Sequence, residues 1–109
     1  MRHRSHMSAE ERALRSRLAK LVHEGVLVRG GLVVMTRRCG KQECKCTRGE
    51  GHVSLYLSAR VGQRRTMIYV PAQWEERVRV WVGRHREASE LLDRLSQIQL
   101  RRFLKEKQR

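Results

Sequence analysis

The chain has one proline, Pro71, and the residues after it keep a helical pattern to Arg109 that only Gly83 interrupts. Proline lacks a backbone N–H and holds φ near the helical value, so it ends a sheet and suits the first turn of a helix. Beyond it, Trp74, Val78, Trp81, His85, Ala88, Leu92 and Leu95 recur at alternating steps of four and three. That spacing predicts a coiled-coil-like seam over about three heptads, and Leu91 and Ile98 widen it. Such a helix reaches roughly 55 Å at 1.5 Å per residue, longer than any sheet the preceding residues can build. The seam must bury itself against that sheet, against another helix, or against a second copy of the chain, so a homodimer through this helix is an expected partner arrangement.

Upstream, Ser8-Ala9-Glu10-Glu11 has the S-x-x-E form of a capping box. Leu14, Leu18, Leu21 and Val22 follow at helical spacing and Gly25 offers a stop, which predicts a helix over 9–24. Residues 26–37 are rich in β-formers, with Gly30-Gly31 expected as a bend or bulge. Val53, Leu55, Leu57, Ala59 and Val61 alternate with Ser54, Tyr56, Ser58 and Arg60, the period of a half-buried strand. Gly62-Gln63 sits where a tight turn belongs, and 66–70 reads as the return strand. The expected fold is α+β: an N-terminal helix, a three-stranded antiparallel meander with a cysteine-rich loop, and a long C-terminal helix. Residues 8–82 read as a compact basic domain and 83–109 as a helical extension with a basic tail.

All three cysteines lie within eight positions, Cys39, Cys44 and Cys46, and His52 follows six residues on. Thiolate and imidazole are the donors that zinc prefers, and four of them close a tetrahedral structural site. The loop has no apolar residue other than its cysteines with which to build a core, so a structural zinc on Cys39, Cys44, Cys46 and His52 is expected. The competing reading is three free thiols beside an incidental histidine. A catalytic zinc needs an open position and a carboxylate base, and only Glu43 and Glu50 stand near; with no C-x-x-C pair, a redox role has little support. No catalytic residue is assigned, and the chain is read as a non-enzyme without a small-molecule substrate.

The stretch Cys39-Gly40-Lys41-Gln42-Glu43-Cys44-Lys45-Cys46 resembles the hallmark of an uncharacterised family of small bacterial and archaeal proteins. That family shows C-G-K-x-x-C-x-C, a histidine, a tyrosine-containing strand, a V-G-x-x-R-T hairpin and a V-P helix start. The matching residues here are His52, Tyr56-Leu57-Ser58, the run Val61 to Thr66, and Val70-Pro71. The likeness covers about residues 31–82; it departs at Val53-Ser54, where the family pattern reads Gly-Pro. It implies the architecture and carries no activity.

Charge narrows the function. Against 25 Lys and Arg stand 11 Asp and Glu, a formal net charge of +14, which repels itself on compaction and attracts polyanions. It is not evenly spread: residues 29–65 carry +7, residues 72–96 are neutral, and residues 97–109 carry +4. A merely soluble surface intersperses both signs. Arg37, Arg38, Lys41, Lys45 and Arg48 crowd the cysteine loop, and Arg60, Arg64 and Arg65 bracket the hairpin turn. Such zones track phosphates, and arginine forks also read guanine edges. The function expected is an accessory or regulatory nucleic-acid-binding protein, with DNA slightly ahead of RNA. The alternative is a protein-interaction module, or a subunit of a larger nucleoprotein complex, working through the seam Trp74, Val78, Trp81, His85, Leu92 and Leu95. No run of 18 apolar residues exists, so no membrane partner is expected. The cysteine usage suggests the cytoplasm. Ser5-His6-Met7 resembles a cloning scar, so His3 and His6 are left out of every site, and omitting Arg2 and Arg4 lowers the charge by two.

Overall fold

The computed structural model describes residues 7–37 and 52–108. In chain order it contains α1 (Ala9–Glu24), β1 (Gly31–Arg37), β2 (His52–Val61), β3 (Arg64–Val70), a 3-10 turn (Ala72–Trp74) and α2 (Glu75–Lys107). The strands form one antiparallel sheet in the order β1-β2-β3, so the fold is α+β with a helix on either side of the sheet in sequence. Two compact units emerge: Met1–Leu27 with Gly83–Arg109, and Val28–Val82. Sequence reading also divides the chain at Val82–Gly83 but assigns α1 to the sheet domain. The structure groups α1 with the far half of α2, because their apolar stripes bury one another.

In the helical unit, Ser8 caps α1 by accepting the Glu11 N–H on its side chain at 3.1 Å. The reciprocal half of the capping box is absent. The Glu11 carboxylate, 1% exposed, instead meets the Arg102 guanidinium, Arg15 at 3.5 Å and Gln99 at 3.4 Å. The hydrogen bond from Arg102 holds this carboxyl below its ordinary range against the opposing effect of burial. Across the same helix pair, Arg17 grips Glu87 with two hydrogen bonds of 2.7 and 3.0 Å, and this lowers the Glu87 pKa. Between these polar ends, Leu14 and Leu21 pack on Ala88, Leu91 and Leu95, with Leu18, Leu27 and Ile98 alongside.

The end of α1 departs from expectation. Gly25 is extended, with φ −165° and ψ −179°, so no left-handed cap closes the helix. Arg84 closes it instead, donating to the Leu21 carbonyl, where a cation also complements the helix dipole. The guanidinium lies so close over Gly25 that a Cβ there would come within 2.6 Å of it. A side chain at this position would displace the Arg84 guanidinium from its place over the helix end.

In the sheet unit, Leu55, Leu57, Ala59 and Val70 are buried with Val78 and Val82 of α2, and Val28, Leu32, Ile68 and Trp81 pack around them. The alternation expected along β2 therefore holds from Leu55 to Ala59, whereas Val53 and Val61 at its two ends are exposed. Gly62, at φ 63°, makes the turn into β3; Gln63 does not share the positive φ, which matches a hairpin with glycine at its first central position. Residues 26–30 are not a strand, contrary to the β-rich reading. Val28 spends its N–H on the Trp81 carbonyl at 3.2 Å, and Leu27 packs in the helical unit, so pairing with β2 begins only at Gly31.

The seam also shifts. Leu92 is 55% exposed and Trp74 39% exposed, while Val82 and Leu91 are buried. The buried residues of α2 fall in two clusters, Val78 and Val82 with the sheet and Ala88, Leu91 and Leu95 with α1. No single heptad seam therefore runs its length, and the face that meets α1 takes Leu91 rather than Leu92.

Candidate nucleic-acid interface

A sheet with one face in a core presents its alternate residues on the other face. With Leu55, Leu57 and Ala59 inward, the outward set on β2 is Ser54, Tyr56, Ser58 and Arg60. Register extends it across the strands: Val33 pairs with Tyr56 and Tyr56 with Tyr69, Gly31 with Ser58 and Ser58 with Met67, and Arg60 with Arg65. The outer face thus reads, along the strands, as an aromatic row, a row of small residues with Met67 at its edge, and an arginine row.

The arginine row is the electrostatic feature of this face. Like charges directly opposite in an antiparallel pair are destabilising, yet Arg60 and Arg65 are Cα partners and both exposed. Arg29 joins them: with Gly30, Arg60 and Arg65 it lines an open concavity of about 520 Å³. Among the described residues, ion pairs form only within the helical unit, and none of these three guanidiniums has a carboxylate partner. Gly30 makes the concavity possible, since a Cβ there would lie 2.8 Å from the Ser58 carbonyl oxygen and 2.9 Å from Leu57. Only glycine lets the chain pass that close to β2 and bring Arg29 beside Arg60.

Other expected site residues are distributed differently. Arg64, opposite Val61, is exposed but belongs to the parity of the inward set, so it does not share the face of Arg65. Arg37 ends β1 opposite His52, the first residue of β2. Arg38, Lys41, Lys45, Arg48, Cys39, Cys44 and Cys46 lie outside the described residues, so only His52 of the expected zinc set is placed; among the described residues no cluster of three metal-ligating side chains occurs. Of the seam, Val78 and Trp81 pack with the sheet core and Leu95 with α1, His85 is partly buried, and Leu92 lines a groove with Leu18, Ala19 and Val22. Trp74 is a surface ring, edge-on to Trp81 at 6.1 Å and covered by the Arg77 guanidinium at 3.9 Å, a cation–π pair rather than a core residue. Arg29 was the residue that sequence reasoning did not single out. Its signal was the Gly30-Gly31 pair beside it, which reads as a bend until the close approach to β2 is seen.

Tyr56 and Tyr69 meet edge to face with centroids 5.7 Å apart, and Tyr69 is 55% exposed. Among the described residues, no helix is long and apolar enough to cross a membrane. Comparison with known proteins matches residues 7–80 to a domain family described as a domain of unknown function (DUF6788). No curated protein and no solved structure matches the chain.

Proposed function

We propose a role for a chain that belongs to the DUF6788 family: it binds nucleic acid through the outer face of its three-stranded sheet. The observation that carries this reading is the directly opposed Arg60–Arg65 pair, joined by Arg29 around one concavity and without carboxylate partners among the described residues. Such an arrangement costs stability until an anion neutralises it. A phosphate backbone supplies anions in a row, and a formal charge of +14 draws it in from a distance.

A salt titration tests the reading. With about three phosphate contacts, one for each guanidinium, log affinity should fall against log salt with a slope near about −2 to −2.7, so raising salt from about 50 to 200 mM should weaken binding roughly 20- to 40-fold. Absence of binding to any duplex or single strand at about 50 mM salt would overturn it. The rival reading, a protein-interaction module, draws on Leu92 and Val22, which are 55% and 60% exposed on the helical unit; association through such a groove would be nearly indifferent to salt.

A structural zinc on Cys39, Cys44, Cys46 and His52 is a second proposal, carried by the sequence pattern and by the C-G-K-x-x-C-x-C resemblance. The pairing of Arg37 with His52 supports it, because the ends of the segment bearing the cysteines are already held together, which reduces the chain entropy that metal binding must overcome. Elemental analysis should find about one zinc per chain, and removing it with a chelator should lower the melting temperature. Metal-free protein of unchanged stability would remove the site.

A further inference from the structure

Beyond the arginine row, the outer face has features that a duplex has no use for. Tyr69 exposes 55% of its surface and Met67 45%, on the same face as Arg60 and Arg65. Between the tyrosine and arginine rows lies the row of Gly31, Ser58 and Met67, and above Gly31 there is open space, with no atom within 4 Å of where a Cβ would stand. The two outer rows are four residues apart along β2, roughly 13–14 Å at the strand rise. A flat, low-walled lane therefore joins an aromatic platform to a cluster of guanidiniums.

An exposed aromatic ring on a sheet offers a flat apolar face that a planar ligand can cover. Bases in a duplex are stacked on one another and offer a protein only their edges, whereas an unpaired base offers its π-face. An aromatic side chain accepts that face whatever the base, while a neighbouring basic groove follows the backbone. From this juxtaposition, and resting on the nucleic-acid reading above, we infer that the ligand is a single strand: one base stacks on Tyr69, its backbone crosses the lane over Gly31 and Ser58, and a phosphate two rows away enters the concavity of Arg29, Arg60 and Arg65. Tyr56 holds Tyr69 in place by its edge-to-face contact.

The test compares a fluorescently labelled single strand of about a dozen nucleotides with the duplex made from it, by anisotropy at about 100 mM salt. The wild-type chain should bind the single strand more tightly. Tyr69→Ala should weaken single-strand binding about tenfold, the effect of losing one stacked base, and leave duplex binding unchanged; Tyr69→Phe should retain both. Should Tyr69→Ala melt the sheet by circular dichroism, Tyr69→Thr, which keeps strand propensity without a ring, takes its place. Equal loss on both ligands, or none on either, overturns the single-strand assignment while leaving the phosphate reading intact. If the wild-type protein binds neither ligand, the nucleic-acid reading itself fails.

Discussion

Replacing Arg60 and Arg65 together by alanine is expected to weaken nucleic-acid binding for every sequence tested and to make the salt slope shallower by between about one and two. Both guanidiniums line the same concavity, so each is assigned one phosphate contact and each lost contact returns its counterion share. The double change also removes two like charges set directly opposite each other, so the folded sheet should become no less stable. A concurrent fall in affinity and gain or retention of stability is the signature of residues kept for binding. Arg64→Ala is the informative control, because Arg64 belongs to the opposite strand parity and should change the slope less. Arg101→Ala is a better control for the C-terminal charge than any change at Arg102, whose guanidinium holds Glu11. An affinity loss confined to one sequence would instead indicate base reading by an arginine fork, and an unchanged slope would remove the outer face from consideration.

The largest effect on stability is expected at Leu21→Ala. Leu21 is 1% exposed at the centre of the α1–α2 cluster, and truncating such a side chain loses its transfer free energy and leaves a cavity. The cost is about 2–5 kcal/mol, enough to lower the melting temperature of a chain this size by roughly 10–20 °C. Circular dichroism during thermal melting measures it directly. A shift of under about 3 °C would mean that the site collapses around the smaller residue and that the helical unit is more plastic than its packing indicates. Leu92→Ala on α2 provides the contrast, since a side chain 55% exposed has little burial to lose.

That contrast shows what could be read from the amino acids alone and what could not. Local chemistry was legible: Ser8 caps α1, Gly62 turns β2 into β3, Pro71 closes the sheet, and the alternation along β2 names its buried residues Leu55, Leu57 and Ala59, though not the exposure of Val53 and Val61 at its ends. Choices made between elements were not. Leu91 and Leu92 are equally apolar, and only the packing of α1 on Ala88, Leu91 and Leu95 decides which of them is covered. Val26-Leu27-Val28 has β propensity, yet its hydrogen bonding and packing go to Trp81 and to the helical cluster, because Gly30 is the first place where the chain can draw close enough to Ser58 to begin pairing. The arginine row followed the same rule. Arg64 and Arg65 look equivalent beside the turn, but strand parity gives Arg65 to the face of Arg60, and the close approach of Gly30 to β2 then brings in Arg29 from far earlier in the chain.

The sheet has only three strands, so β1 and β3 each leave one side unpaired within the described chain. An open strand edge is a template on which another copy can add its own strand. Here β3 begins with Arg64 and Arg65 and β1 ends with Arg37, whereas the middle of β1 is apolar and Val34 is 60% exposed. With so few charged side chains on β1 itself, the guard against strand addition is the mutual repulsion of molecules that each carry +14. Colloidal stability and the polyanion binding proposed above would therefore draw on the same charges, and a polyanion that neutralised the surface would also withdraw the repulsion that keeps the edges of separate copies apart.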